Sequence, residues 1–276
     1  ILNNRIDLIK ENQIKLIIKD ARNNNVINKI CNAIKPDIIV HLAAVSHANK
    51  SNKDPHNTFD NSLRTLENTL DFAKNSKTHV IFISSSMVYG NFEKGEVDEN
   101  SKCDPIGIYG TLKYAGELMV KSYNQVFGIP YTIIRPSALY GERCVSRRVG
   151  QIFIENAIQN LEIIVNGNGE EKLDFTYIQD LVNGISICCE NKNSINQTFN
   201  FTYGNARKIN ELIQILKTEF SKVKIKYIEK EAFMPKRGTL INNKAKLMLN
   251  FEPEFPIEIG YPKYIRWYKN FWQNLK

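Results

Sequence analysis

The 276-residue sequence has no apolar stretch approaching the roughly 18 residues that cross a bilayer as a helix. It has no run of five or six like charges, no low-complexity tract and no internal repeat, which excludes a polyelectrolyte tail and a solenoid. Cysteine is sparse and unpatterned: Cys31, Cys103, Cys144, Cys188 and Cys189 are odd in number and lack metal-ligand spacing. They read as reduced thiols of a soluble cytoplasmic protein, with Cys188 and Cys189 as small packing residues in the apolar run Ile185 to Cys189. Histidine is scarcer still, and none of His41, His47, His56 and His79 has a partner at ligand spacing, so no metal site is expected. The chain opens on Ile1 without a basic region, an apolar run or a cleavage-site pattern, and none of its 14 glycines precedes Gly90.

What is present is ordinary globular composition: 42% hydrophobic and 24% charged residues exclude disordered and fibrous classes. The length exceeds one typical domain and falls short of two large ones, which points to one large α/β unit with an appended lobe. Thirty-seven Lys and Arg against 29 Asp and Glu give +8, but the basic residues are spread over the whole length. That pattern reads as general surface charge, with neither nucleic acid nor membrane as a partner.

Short apolar runs alternate with helical stretches in the first half, the pattern of a parallel sheet with crossover helices. The strand candidates are Lys15 to Ile18, Asp37 to Ala43, Val80 to Ser84 and Tyr131 to Arg135; helices are expected over about Asn25 to Ile34, Asn57 to Lys74 and Ile108 to Phe127. Asp98, Glu99 and Asp104 fall in the stretch Asn91 to Ile106, which reads as a surface excursion. After Arg135 the rhythm becomes mixed, with helices at about Val149 to Gln159, Asp180 to Cys189, Asn210 to Phe220 and Tyr264 to Trp272. The division expected is a first domain over 1–148 and a smaller substrate lobe over 149–276, interleaved with it.

Tyr109 and Lys113 stand four residues apart in YGTLK, so both share one helix face. An ammonium beside a phenol lowers the phenol pKa and makes a base for a substrate hydroxyl. Spacing alone is weak, since about one such pair is expected by chance in a chain this rich in Tyr and Lys. Context strengthens it: VIFISSSMVYG (Val80 to Gly90) is an apolar strand ending in three hydroxyl residues, and a further strand ends in RPSALYG (Arg135 to Gly141). Small hydrogen-bonding groups thus collect at the carboxyl edge of a parallel sheet, where open α/β sheets bind ligands.

With these motifs the chain resembles the extended short-chain dehydrogenase/reductases, within the NAD-dependent epimerase/dehydratase family acting on nucleotide sugars. The resemblance implies a Rossmann-like doubly wound parallel sheet lacking its first two strands, with a smaller mixed α/β substrate lobe. KDARN (Lys19 to Asn23) resembles the adenine-contacting segment, placing Asp20 and Ala21 there. HLAA (His41 to Ala44) resembles the fourth-strand end beside the cofactor, adding Leu42, Ala43, Ala44 and Ser46 to the cofactor side, with Asn61 to Thr65 standing for its NVxGT helix segment. The family's catalytic positions fall on Ser85, Tyr109 and Lys113, and Ser137 of RPSALYG lies beside the nicotinamide. LDFTYIQD (Leu173 to Asp180) and KRGTLINNKAKLML (Lys236 to Leu249) match two later segments bordering the sugar nucleotide. The implied chemistry is 4-epimerisation through a 4-keto sugar: Tyr109 moves the proton, Lys113 binds ribose, and Ser85 holds the reacting oxygen.

Departures from the family pattern narrow the reading. A 4,6-dehydratase would carry an Asp-Glu pair where this chain has Ser86-Met87. Ala138 replaces an Asn that usually touches the diphosphate, Leu173 replaces an Arg, and Arg237 remains at a diphosphate position. Arg147 or Arg148 of RCVSRR is the expected substitute, so the substrate side comprises Ser85, Ser86, Met87, Arg147, Arg148 and Arg237. The family's opening Gly-rich turn is missing, which implies an N-terminal truncation of roughly 35 residues, about one βαβ unit less its last strand, and weak binding of NAD. NAD is the expected cofactor, with the choice against NADP not fixed by these residues. The resemblance also implies a homodimer through the helices at Asn57 to Lys74 and Ile108 to Phe127, and a role in polysaccharide precursor synthesis. Two other readings stand beside the UDP-glucose 4-epimerase-like one: an NAD(P)H-dependent nucleotide-ketosugar reductase, and a catalytically silent binding relative or inactive fragment.

Overall fold

The computed structural model describes residues 1–229 and 235–274. Four parallel strands, Ile38–His41, His79–Ile83, Tyr131–Arg135 and Gln197–Asn200, lie side by side in chain order. Their near-continuous apolar sequences follow from burial on both faces. Val80 and Phe82 pack on Leu66, Leu70 and Ala73 of the Thr65–Ser76 helix and on Val120 of the Gly107–Phe127 helix. Ile81 and Ile83, pointing the other way by the two-residue period of a strand, meet Leu181 and Cys188 of the Ile178–Glu190 helix and Leu249 of Asn243–Leu249. Cys188 is thus a packing residue, and all five cysteines are free thiols.

Two expectations fail. Lys15 to Ile18 forms no strand: the segment is exposed, and the sheet ends at Ile38–His41 without pairing to it. A β-branched run becomes a strand only when a neighbouring backbone satisfies its N–H and C=O groups, and Ile18, at 81% exposed, has none beside it. The stretch Asn91 to Ile106 is no surface excursion either. Phe92 and Val97 are buried against Val88, Tyr89 and Leu240, and Glu96–Val97 pairs in parallel with Thr239–Leu240. The helix expected from Asn57 starts at Pro55 and contains one π turn, Asp60–Arg64, before continuing as Thr65–Ser76. There Ser62 Oγ accepts from the Val45 N–H at 3.3 Å and Thr65 Oγ1 donates to the Ala43 carbonyl at 3.3 Å, tying the helix to the loop after the first strand.

The second core is aromatic. Tyr140, Tyr177, Tyr261, Tyr264 and Tyr268 pack with the helices Val149–Ile158, Ile209–Glu219 and Ile257–Gln273. The chain leaves the sheet at Arg135, builds part of this lobe, returns through Ile178–Glu190 and Gln197–Asn200, and leaves again. Both departures, at Arg135 and Asn200, are from the carboxyl ends of the sheet strands.

Candidate active site

Sheet pairing runs past the carboxyl ends of the strands. The Ser84 N–H donates to the Ile134 carbonyl at 2.8 Å and the Ser86 N–H to the Pro136 carbonyl at 2.9 Å, so the serine run cannot drift from the neighbouring strand. Ser85 caps a short 3₁₀ turn, Ser86–Tyr89, its Oγ accepting from the Met87 N–H at 3.2 Å. Against this edge lies the start of the Gly107–Phe127 helix. Gly110 makes the close approach possible, since a Cβ there would stand 2.7 Å from the Met87 carbonyl oxygen.

Three side chains on one face of that helix meet three consecutive residues of the strand end. The Tyr109 hydroxyl lies close enough to Ser85 for that side chain to help lower its pKa. The Lys113 Nζ, 7% exposed, donates to the Ile83 carbonyl at 2.7 Å. Glu117, fully buried, accepts from Ser84 Oγ at 2.5 Å. The expected Tyr-Lys pair is therefore assembled, but with different electrostatics. Burial pushes the Tyr109 phenol up, and the groups that pull it back are Arg148, Ser85 and Arg237. The ammonium of Lys113 is turned to the Ile83 carbonyl and is itself lowered to about 8 by burial, with Glu117 opposing that shift.

Arg237 reaches the same place from a distant segment of the chain. Its Nη1 donates to Met87 Sδ at 2.8 Å, and its Nη2 donates to Ser86 Oγ and to Ser137 Oγ, the latter at 3.0 Å. Arg148 donates to the Ser46 carbonyl and lies close enough to Tyr109 to stabilise its phenolate. Arg147 does not join them: its guanidinium pairs with Glu155 at 2.9 Å, a nearly buried carboxylate that Gln151 and Tyr268 also bind. A carboxylate so withdrawn from water needs a counter-charge, and Arg147 supplies it.

The cofactor-side residues lie farther along the edge. Leu42, Ala43, Ala44 and Ser46 form the loop after Ile38–His41, with Leu42 66% exposed. Ala21 accepts from Asn68 Nδ2 at 2.8 Å. Asp20 borders an open groove of about 550 Å³ lined also by Arg22, Asn23, Asn24, Asp60 and Arg64. Its carboxylate is gripped by Arg22, through Nε at 3.0 Å and Nη2 at 2.7 Å, and by the Arg22 N–H at 2.9 Å; these bonds hold its pKa down to about 2. Among the described residues no cluster of three or more His, Cys, Asp or Glu could hold a metal ion, and no helix is long and apolar enough to cross a membrane.

A buried polar chain behind the site escaped the sequence reading. Arg135 grips Glu117 with Nε at 2.9 Å and Nη2 at 2.6 Å, and its Nη1 donates to the Tyr89 hydroxyl at 2.8 Å. The Tyr89 hydroxyl donates to Asn200 Oδ1 at 2.7 Å, and the Asn200 N–H donates to Glu99 at 2.7 Å. The chain spans the sheet from the Gly107–Phe127 helix to its last strand, and it explains why Glu99 is drawn inward. A signal existed: Glu117 continues the Tyr109–Lys113 face by one more turn.

The profile of the family described as NAD dependent epimerase/dehydratase family matches residues 2–202. A Methanocaldococcus jannaschii protein provisionally named UDP-glucose 4-epimerase is 30% identical over 262 residues, covering 91% of this chain and 83% of the relative. The dTDP-glucose 4,6-dehydratase of Haemophilus influenzae is 26% identical over 271 residues, covering 88% of this chain and 79% of that one. Among solved structures, UDP-glucuronic acid 4-epimerase from Bacillus cereus, in complex with UDP-glucuronic acid and NAD, superposes with a TM-score of 0.89 at 26% identity, covering 95% of this chain and 85% of that chain.

Proposed function

We propose, from the premise that the chain belongs to the NAD dependent epimerase/dehydratase family, that it is a nucleotide-sugar 4-epimerase using Ser85, Tyr109 and Lys113. The observation that carries the reading is the close packing of the Gly107–Phe127 helix, with Lys113 bonded to the Ile83 carbonyl and Tyr109 beside Ser85, on the carboxyl edge of a parallel sheet. Tyr109 takes the proton of the sugar 4-hydroxyl and returns it; Arg148, Ser85 and Arg237 favour the phenolate this requires. Ser85 holds the reacting oxygen, and Lys113 presents its ammonium to the cofactor ribose.

NAD, when bound, supplies the hydride acceptor that becomes the donor of the return step. The residues that fit it are those of the nicotinamide and ribose end, Tyr109, Lys113 and Ser137, followed by the loop Leu42, Ala43, Ala44 and Ser46; Asp20 and Ala21 face the adenine end. No Gly-rich turn for the pyrophosphate occurs among residues 1–89. On the substrate side stand Ser86, Met87, Arg148 and Arg237, with Arg237 as the diphosphate or anion clamp. Epimerisation is favoured over dehydration because Ser86 and Met87, both bonded to Arg237, offer no carboxyl group to expel water from the sugar. The two interface helices leave Phe59, Leu118 and Val126 exposed, in keeping with a homodimer.

The test is a panel of UDP-, CDP-, GDP- and dTDP-sugars incubated with the protein and NAD, with 4-epimers resolved by chromatography. Conversion without net NADH formation is expected, and Tyr109→Phe should reduce it by about 10³-fold. Net consumption of NAD(P)H with a ketosugar points instead to a reductase, and a Tyr109→Phe variant equal to wild type removes the assignment.

A further inference from the structure

Tyr109, Lys113 and Glu117 form a ladder at four-residue spacing, and the first two carry the proposed chemistry. Glu117 cannot reach a ligand, because its side chain is fully buried and closed in by Ser84 and Arg135. We propose that Glu117 is a positioning residue for the catalytic pair: it anchors the helix to the strand end through Ser84 and supplies the counter-charge that Lys113 needs in a buried setting. The inference rests on reading Tyr109 and Lys113 as catalytic.

The geometry supports both arms. Ile83, Ser84 and Ser85 are consecutive: Lys113 holds Ile83, Glu117 holds Ser84 and Tyr109 lies beside Ser85, so releasing the Ser84 bond loosens the residues on either side of it. Among the described residues, Glu117 is the one anion acting on Lys113. From the first strand it faces His41, kept neutral by burial and by Lys113 itself; from the second strand it faces the Phe82 ring, with Nζ 5.1 Å from its centroid. On its own helix stand Tyr109 and Glu117. Arg135, behind Glu117, pairs with it at 2.6 Å.

The test titrates Lys113 Nζ in the full chain by lysine-selective NMR, with Lys113→Arg assigning the resonance. Glu117→Gln is expected to lower its midpoint from about 8 by about one unit. Because that variant leaves Arg135 unpaired, Glu117→Gln combined with Arg135→Met serves as the folded control and should shift the midpoint in the same direction. An unchanged midpoint in the double variant overturns the counter-charge. Ser84→Ala reads the anchor: kcat should fall about tenfold with KM within twofold and the Lys113 midpoint unmoved, whereas a wild-type kcat overturns anchoring. The titration needs no turnover, so a failed Tyr109→Phe experiment would remove the catalytic reading while leaving the Glu117–Lys113 result standing.

Discussion

Two walls along the carboxyl edge of the sheet are built differently. On the wall formed by Ile83 to Ser85, Tyr131–Arg135 and the Gly107–Phe127 helix, the charged groups Lys113, Glu117 and Arg135 are at most 7% exposed and each is partnered. On the wall formed by residues 14–47, Ile14, Leu16, Ile18 and Leu42 are exposed, and the one well-made ion pair, Asp20–Arg22, lies in water. The first wall is held by buried, paired charges; the second is tied to the sheet through Ile38–His41 and to the neighbouring helices through Asn68, Ser62, Thr65 and Thr69, while its segment 14–18 stands exposed.

The comparison predicts unequal costs. Arg135→Met, which strands the Glu117 carboxylate in the interior, should destabilise the chain by about 3–5 kcal/mol in urea unfolding. A loss below about 1 kcal/mol would show that this wall is less tightly constrained than its contacts imply. Lys113 makes the same wall pH-sensitive. Its folded pKa of about 8 lies below the ordinary 10.5, so its burial penalises folding while it is charged, and the penalty is relieved as pH rises from 8 to 10.5. Relative to Lys113→Met, wild type should gain on the order of 3 kcal/mol across that window, read from denaturant midpoints. Gly110→Ala should cost about 1–3 kcal/mol and lower turnover, because the new methyl must push the helix off Met87. At the other wall, Arg22→Ala should leave the melting temperature unchanged, since both partners of its ion pair are largely solvated. A clear drop there would erase the contrast.

How much of this was readable depended on how far each feature reached. The strand Tyr131–Arg135 matches its apolar run residue for residue, because burial on both faces writes itself into a short segment. The face shared by Tyr109 and Lys113 needed only the helical period. Lys15 to Ile18 carries the same local signature and fails, because a strand is decided by its neighbour. The direction of the Lys113 ammonium, the Arg135 grip on Glu117 and the diversion of Arg147 to Glu155 are decided between elements, where composition and spacing are silent. The resemblance to a family pointed to Ser85, Tyr109 and Lys113 as candidates but not to the groups that surround them.

The ladder also bears on how the molecule reaches its native state. The Lys113–Ile83 and Ser84–Glu117 bonds span 30 and 33 residues, whereas Arg237 reaches Ser86 across 151. Loop-closure entropy grows with the length enclosed, and short-range contacts are the ones a folding chain can secure first. Tyr109, Lys113 and Ser85 therefore belong to a local supersecondary unit of strand, turn and helix. Arg237 joins Ser86 only when the distant segment has docked, so the two sides of the proposed site are assembled at separate stages of folding.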